Sequence, residues 1–512
     1  MVGAATALVI ASCGADTAPP GTGTGTGGNG GKGGSVTAGV GGGGAGVTGA
    51  AGGGVGGTAG VSGGGTGGTV GGGGSGGMPV TMGPPCAPTT GVVTANLTVH
   101  RTEIGARNIG PVPNGTLRIA HDPMTGTFLI ATLNGQISSL NVETGDVAPA
   151  EGDFPGSGQI RGMKFGPDGA LYIMTSTKAG TITGALYKGV PNGGGRTWTT
   201  MVTTAPYPQP ADALSNYDHT FSNMVVSSDN QYVYFASGSR TDHGEDSGGS
   251  REHPITSAIF RVPVTAENLN LPDDEAGLAP FLFADGVRNA FSLAFNAAGD
   301  LFAVDNGPDI DLPDEINFIQ EGKHYGFPWR FGNVDNPVRD PAYNPNADGR
   351  LHDELQSVQA NSYNPDPGFP APPAGVTFTD PVKNNGPDAD KVVLDTSGQV
   401  MDASDTATPY YGVTAHRSPL GLVFDSEGEL CGDYYQAGFF VSYGAVVDHM
   451  GDIGQDLVMI KPTKVGDAYE MTATQLVVGF TDFPSDAALV GNKLYIVTYN
   501  NGSAYEITFP TP

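Results

Sequence analysis

Residues 160–175 read IRGMKFGPDGALYIMT. Apolar and polar side chains alternate on both sides of the turn Gly166-Pro167-Asp168-Gly169, and alternation with a period of two is typical of β-strands. Asp-Gly supplies the positive φ that a tight hairpin turn needs. The stretch therefore predicts two antiparallel strands, with Met163 and Ile173 among the side chains that form a core with the neighbouring units.

Similar units recur along the chain, each with an apolar strand, a turn rich in Asp, Pro and Gly, and a second strand of the Leu-Tyr-Ile type. They lie at residues 117–140, 160–187, 221–262, 289–319, 419–460 and 484–507. Because each unit can bury its apolar face only against its neighbours, the pattern predicts an all-β fold, a six-bladed β-propeller over residues 86–512. Residues from about 331 to 412 lack this periodicity and predict a long inter-blade excursion on one face, where propellers build their sites.

The beginning of the chain has a different composition. Residues 14–85 are dominated by Gly, Thr, Ser, Ala and Val and cannot bury a core, which predicts a disordered Gly-rich tether. Residues 1–13 end in Ile10-Ala11-Ser12-Cys13 and resemble the lipobox of bacterial lipoproteins, although no Lys or Arg precedes their apolar run. The resemblance implies a signal peptide, acylation of Cys13 and an anchor at the bacterial outer membrane or cell surface; otherwise we expect a periplasmic or secreted protein.

Charge and cysteines limit the partners. The formal net charge of −28 repels nucleic acid and anionic lipid, so we expect no nucleic-acid partner and membrane contact only through the lipid. Export permits a disulfide between Cys86 and Cys431, and two separate buried thiols are an equally good interpretation. Because no CxxC pair or Cys/His cluster is present, a zinc site is not expected.

The densest group of chemically active residues lies between residues 286 and 329. Arg288 and Asn289 stand where a strand should leave the central channel, and both offer hydrogen-bond donors to a ligand. Five carboxylates crowd the following turn: Asp305, Asp309, Asp311, Asp314 and Glu315. Such hard oxygen ligands suit Ca²⁺, and an acidic, solvated loop is the alternative interpretation.

This stretch resembles the glucose/sorbosone dehydrogenase family, which contains soluble quinoprotein glucose dehydrogenases and aldose sugar dehydrogenases and folds as a six-bladed propeller. The matching motifs are Val287-Arg288-Asn289, Leu293-Ala294-Phe295, Asp305-Asn306-Gly307-Pro308, Asp314-Glu315-Ile316-Asn317 and Tyr325-Gly326-Phe327-Pro328. Two further similar motifs are Tyr217-Asp218-His219 and His416-Arg417-Ser418-Pro419-Leu420-Gly421-Leu422. Weaker similarity covers most of residues 100–510.

The resemblance implies pyrroloquinoline quinone (PQQ) and calcium as cofactors. It makes His219 the general base that takes a sugar hydroxyl proton, with Asp218 orienting the base or the sugar. It places Arg288 and Asn289 against the quinone. The calcium ligands that it implies are the carbonyls of Gly307 and Pro308, with Asp309 beside them.

The chain departs from the family where the quinone carboxylates should be held. Phe483-Pro484-Ser485-Asp486 stands in place of an Arg-x-Arg-Asp element, and no Lys lies near Ser442-Tyr443-Gly444. PQQ is a tricarboxylate, so these losses should weaken its binding unless other cations substitute. Arg417, Arg240 and Lys323 are the candidates, and either Gln159 or Ser157 corresponds to an early glutamine of the family's site.

Two functions are consistent with this pattern. The first is a PQQ-dependent oxidoreductase acting on aldose sugars or related alcohols, which passes its electrons to a separate acceptor because no CxxCH haem motif is present. The second is a non-catalytic extracellular propeller that binds carbohydrate or protein and has lost the quinone site. Asp218, His219, Arg288 and Asn289 favour the enzyme, and the missing cationic residues favour the binding protein.

Overall fold

The computed structural model describes residues 83–211, 219–445 and 448–512, and the regular structure in these ranges is almost entirely β. The predicted signal segment with Cys13 and nearly all of the predicted tether lie outside the described residues. None of the helices in the described part of the chain has the length and apolar character needed to cross a membrane.

The first three sheets follow one another along the chain. The short β1 (Thr98–Val99) and β2 (Gly105–Pro111) precede the first sheet, which contains β3 (Thr116–His121), β4 (Phe128–Thr132), β5 (Ile137–Leu140) and β6 (Val147–Pro149). The second sheet contains β7 (Gln159–Phe165), β8 (Leu171–Lys178), β9 (Thr181–Asn192), β10 (Gly195–Thr204) and β11 (Tyr207–Pro208). The third contains β12 (Phe221–Val226), β13 (Tyr232–Ser237), β14 (Ala258–Pro263) and, after β15 (Leu269–Leu271) and helix α1 (Glu275–Leu278), β16 (Leu282–Asp285); β15 pairs with β10.

The fourth sheet contains β17 (Ala290–Phe295), β18 (Leu301–Asp305) and β19 (Glu315–Ile319). The excursion that follows contains short elements: β20 (Arg330–Phe331), β21 (Val334–Asp335), 3₁₀ turns Pro337–Arg339 and Pro345–Ala347, helix α2 (Gln356–Gln359), β22 (Lys383–Pro387), β23 (Lys391–Val393), β24 (Val400–Asp402) and β25 (Tyr410–Tyr411).

The last two sheets complete the fold. The fifth contains β26 (Pro419–Phe424), β27 (Gly438–Ser442), β28 (Asp456–Val465) and β29 (Ala468–Val478), with a 3₁₀ turn at Gly432–Tyr434. Strands β1, β22 and β25 extend it, so part of the excursion belongs to this sheet. The sixth contains β30 (Pro484–Val490), β31 (Lys493–Thr498) and β32 (Ser503–Thr508), and β2 from the start of the domain pairs with β32.

The sheets form a closed ring. Their first strands contact one another in the order β3, β7, β12, β17, β26 and β30, and β30 contacts β3 again. Apolar side chains fill the space between neighbouring sheets; Met163 and Ile173, for example, pack with Ala120 and Leu129 of the first sheet, as the repeat predicted. The all-β propeller is therefore confirmed.

The number of blades is a correction to the prediction. Five of the sheets reach the four strands of a full propeller blade, whereas the fourth sheet has three strands. The physical reason lies after β19, where the chain turns at Glu321-Gly322 and His324 forms only isolated bridges to Asp285 and Phe378. The chain then enters the excursion instead of adding an outer strand, so five full blades and one three-stranded sheet replace the six blades predicted.

A disulfide fastens the beginning of the domain to the fifth sheet. Cys86 and Cys431 are bonded, with their Cα atoms 5.1 Å apart, which decides between the two interpretations left open by the sequence. Cys431 is buried and immediately precedes the 3₁₀ turn at Gly432–Tyr434. The bond joins residues 345 positions apart in the sequence and so holds the entering segment against the ring.

Candidate functional site

The candidate site lies where the third, fourth and fifth sheets meet, just before their first strands begin. The backbone N–H of His219 donates to the carbonyl of Ser239 at 2.9 Å, and the N–H of Ser239 donates to the carbonyl of Arg288 at 2.7 Å. Asp314 then bridges the fourth and fifth sheets, because its two oxygens accept from the N–H groups of Gly307 (2.5 Å) and Ser418 (2.7 Å). The family-like motifs of three separate units are thereby brought together.

Arg288 is the centre of a buried hydrogen-bond network. Its Nε donates to the Asp242 carbonyl and its Nη2 to Asp242 Oδ1, both at 2.7 Å, while Nη1 donates to the Asn306 carbonyl at 2.9 Å. Although burial opposes it, the adjacent guanidinium holds the pKa of Asp242 well below its usual range. The guanidinium is thus anchored to the protein, and its charge is balanced by Asp242.

Asn289 lies beside this network and is also buried. The backbone N–H groups of Arg288 and Asn289 both donate to the carboxylate of Asp305, at 2.9 and 2.5 Å. The Asn289 side chain donates to Asn306 Oδ1 at 3.3 Å. Asp305 therefore fixes the backbone that carries both predicted quinone contacts.

The hydrogen bonds of Ser239 determine the tautomer of His219. The Ser239 hydroxyl donates to the Thr241 carbonyl at 2.7 Å, and its oxygen lies 3.0 Å from His219 Nδ1. When the single proton of the hydroxyl goes to Thr241, the Ser239 oxygen accepts from Nδ1, which then carries the ring proton. The basic lone pair of the neutral imidazole is consequently on Nε2, the nitrogen that a general base would use.

The surroundings of His219 keep the imidazole neutral. Burial lowers its pKa well below the ordinary value, and the positive charges of Arg288, Lys178 and Arg161 lower it further, while Asp242 opposes them. Lys178 and Arg161 belong to the second sheet and were missed by the sequence argument, because neither lies in a motif of the family. Three cations from two sheets thus lie within electrostatic reach of one buried, neutral histidine.

The acidic turn is buried, so its interpretation as a solvated loop is wrong. All five carboxylates, Asp305, Asp309, Asp311, Asp314 and Glu315, are less than a tenth exposed. Burial raises the pKa of Asp305 to about 7 and, together with the charge of Asp305, raises the pKa of Glu315 well above its ordinary value. These groups are costly to ionise without a nearby cation.

The turn also contains the carbonyls that the resemblance assigns to calcium. A Cβ atom at Gly307 would lie 2.8 Å from the Pro313 carbonyl oxygen, so only glycine fits there. The Pro308 carbonyl accepts from the Ile310 N–H at 2.8 Å and retains a second lone pair. Asp309 Oδ2 accepts from the Ser357 N–H at 3.0 Å. The donor set is suitable for a hard cation, and its carboxylate is already fixed by the excursion.

Three of the remaining predicted residues, Arg417, Gln159 and Arg240, have partners within the protein. Arg417 is fully buried and paired with both Asp452 and Asp456, so its charge is balanced within the fifth sheet. Gln159 Oε1 accepts from Arg161 at 2.6 Å. Arg240 donates to five backbone carbonyls, among them Pro208 and Ser250, and Lys323 is exposed. Asp218 lies outside the described residues.

The excursion lies against this end of the ring. Tyr363 donates its hydroxyl proton to Asp242 Oδ2 at 2.8 Å, and its ring stacks on His243 with centroids 4.1 Å apart. His352 contacts Asp311 at 3.1 Å. Sequence reasoning placed the excursion on one face but could not identify these residues, because contacts across more than 40 positions leave no local pattern.

Comparisons with known proteins give a family match for part of the chain and a similar fold. Residues 207–339, which contain His219, Arg288 and Gly307, match the Glucose / Sorbosone dehydrogenase family. The holo form of the pyranose dehydrogenase PQQ domain from Coprinopsis cinerea is 13% identical, with a TM-score of 0.51 and coverage of 83% of this chain and 100% of that chain.

A solved glucose dehydrogenase is 16% identical, with a TM-score of 0.50 and coverage of 80% of this chain and 99% of that one. The soluble aldose sugar dehydrogenase of Escherichia coli, in the apo form, is 16% identical, with a TM-score of 0.48 and coverage of 79% and 99%. No curated protein sequence matches significantly. The resemblance to the glucose/sorbosone dehydrogenase family is confirmed, and residues 207–339 are the segment that matches the family.

Proposed function

We propose that this propeller oxidises a hydroxyl group of an aldose sugar or related alcohol, with PQQ as its cofactor and Ca²⁺ beside it. The observation that carries the proposal is His219, a buried neutral imidazole with its lone pair on Nε2 and three cations around it. It lies within the segment that matches the family. A neutral base next to a site of positive charge is what removal of a hydroxyl proton beside an anionic cofactor requires.

The cations near the candidate site lie at other positions in the chain than the arginines that hold the quinone carboxylates in the family. The residues at 483–486 offer no cation, and Arg288 and Arg417 are balanced by aspartates. Arg161 and Lys178 lie on the second sheet, which neighbours the third, and both act electrostatically on His219. We infer that these two residues would hold carboxylates of PQQ, with the Gly307 and Pro308 carbonyls holding the cation.

The chain's own residues would remove the hydroxyl proton and orient the general base. PQQ, when bound, supplies the acceptor for the hydride of the substrate carbon. His219 Nε2 takes the hydroxyl proton, and Ser239 orients the ring through Nδ1. Arg288, fixed by Asp242, orients the loop that carries Ser239 through its carbonyl. The electrons then leave to a separate acceptor.

The test is reconstitution of the purified full-length chain with PQQ and Ca²⁺, followed by dye reduction with a panel of aldoses and alcohols. We expect saturable PQQ uptake and sugar-dependent dye reduction. Arg161→Gln and Lys178→Gln should each weaken PQQ uptake, whereas Lys464→Gln, which changes an exposed lysine of the fifth sheet, should not. Absence of PQQ uptake by the native chain would refute the enzyme and leave the binding protein as the alternative.

We propose the same surface location that the lipobox motif suggests. Support comes from the Cys86–Cys431 disulfide, because such bonds persist mainly in oxidising compartments. The Cys13→Ser variant should move from the membrane fraction to the soluble fraction. Unchanged partition of that variant would contradict the lipid anchor.

A further inference from the structure

Three histidines converge on one buried carboxylate at the edge of the candidate site. Asp311 lies between β18 and β19, His352 in the excursion, His416 just before β26, and His449 between β27 and β28. Four segments of the chain therefore supply one cluster. The cluster forms no local sequence motif, because the histidines are 41, 105 and 138 positions from Asp311.

The ligand atoms have the spacing of a metal site. His352 Nε2 lies 3.1 Å from Asp311 Oδ2, and His449 Nε2 lies 2.5 Å from Asp311 Oδ1. One ligand atom from each of these three residues lies within 4.8 Å of the other two. Ligands at the usual zinc distances are about 3.3 Å apart in a tetrahedral shell, so small side-chain shifts would admit an ion.

A simple set of ion pairs explains the cluster less well. The rings of His352 and His449 are stacked with centroids 3.6 Å apart and an interplanar angle of 27°. Two imidazolium ions stacked face to face repel each other, so pairing both of them with Asp311 would bring like charges into contact. Neutral imidazoles that direct lone pairs at a shared divalent cation remove this conflict.

The surroundings fix the ligand residues and leave a route by which a metal ion can enter from solvent. The Asp311 N–H donates to the Arg350 carbonyl at 3.1 Å, which fixes the segment that carries His352. Asp311 is fully buried, while the His352 and His449 side chains are 31% and 12% exposed. An ion could enter from the His352 side and keep a solvent ligand there, as open metal sites do.

We propose that Asp311, His352 and His449 bind a divalent transition-metal ion, for which Zn²⁺ is the probe, separately from the calcium position proposed above. Two imidazoles and one carboxylate suit Zn²⁺ or Fe²⁺ and not Ca²⁺, which prefers oxygen. His416, with its Nε2 3.0 Å from Asp311 Oδ1, is a positioning residue that orients the carboxylate. The proposal differs from the expectation, based on the absence of a CxxC pair or Cys/His cluster, that a zinc site is not present.

The test is calorimetric titration of the full-length, untagged, chelator-treated chain with Zn²⁺ in the absence of PQQ and sugar. We expect one saturable site that excess Ca²⁺ does not occupy. His352→Ala and His449→Ala should abolish it, and His416→Ala should weaken it roughly 10–100-fold, the usual loss for an outer partner. The control His100→Ala removes an exposed histidine and should bind as the native chain does.

A second measurement distinguishes loss of the metal site from misfolding of the variant. Zn²⁺ should raise the melting temperature of the native chain and of His100→Ala but not of His352→Ala, whose circular dichroism should remain native because its side chain is partly exposed. Absence of saturable Zn²⁺ binding by the native chain, or equal binding by His352→Ala, would overturn the proposal. Because neither experiment uses quinone or substrate, the result is independent of the proposed oxidation.

Discussion

Two histidines at the same end of the ring have opposite environments. His219, before the third sheet, has its pKa lowered by burial and by neighbouring cations. His416, before the fifth sheet, is equally buried, yet hydrogen bonding to Asp311 and the surrounding carboxylates raise its pKa above the ordinary value. The neighbours therefore decide the chemistry of an imidazole: a proton acceptor on one side, and a partner of an acidic cluster on the other.

The largest expected effect is on the His219 side. His219→Gln should lower turnover by about 10²–10⁴-fold, the usual contribution of a general base, while PQQ uptake changes little. The measurement is dye reduction by the reconstituted chain, with His100→Gln as the exposed control. Full activity of His219→Gln would show that His219 is not the general base.

The next largest effect concerns Asp242, the buried carboxylate near His219, as Asp311 is the buried carboxylate near His416. It accepts from Arg288, Tyr363 and the Asp309 N–H, so Asp242→Ala leaves a buried guanidinium uncompensated. We expect a loss of about 3–5 kcal/mol in the free energy of unfolding, measured by urea denaturation. Asp433→Ala breaks an exposed pair with Arg101 and should cost about 1 kcal/mol or less; equal losses would contradict the account.

A smaller effect tests how the base is held. Ser239→Ala removes the acceptor of the His219 Nδ1 proton, worth about 1 kcal/mol for such a bond, and should lower turnover by about tenfold or less while increasing the Nε2–H tautomer. Ser237→Ala is the matched control, because the Ser237 hydroxyl is buried and has no hydrogen bond among the described residues. A tautomer population unchanged by Ser239→Ala would show that Ser239 does not position the ring.

The last effect is a change of pH dependence. Glu315 has a raised pKa because it is buried near Asp305, so the folded state binds its proton more tightly than the unfolded state. Its ionisation therefore destabilises the fold as pH rises above the ordinary carboxyl range. Glu315→Gln should raise the free energy of unfolding at pH 8–9 by at least about 1.4 kcal/mol, the equivalent of one pKa unit.

Asn317 is the reason why the fold should accommodate Glu315→Gln. Its amide donates to Glu315 at 2.8 Å, and its Oδ1 has no partner in the described ranges, so a flipped amide can accept from the new glutamine. The measurement is the melting temperature from pH 5 to 9, in which the variant should have a flatter profile above neutrality. A steeper fall for the variant would contradict the raised pKa.

The sequence predicted the repeat and the local motifs but not the contacts between distant segments. Alternation in units such as residues 160–175 predicted the propeller, since strand period and turn residues are local properties. The three-stranded fourth sheet was missed because a short outer strand and a loop have similar composition. Asp242, Lys178 and His449 were missed for another reason: their roles depend on partners more than 40 positions away.

The protonation state of His219 tests the central claim most directly. Histidine side chains in the full-length chain, labelled with ¹⁵N and assigned by comparison with His219→Gln, can be followed by NMR from pH 5 to 8. The account predicts that His219 remains neutral, with its proton on Nδ1, at pH values where an ordinary histidine is protonated. A His219 that titrates at or above the ordinary value, or carries its proton on Nε2, would contradict the account.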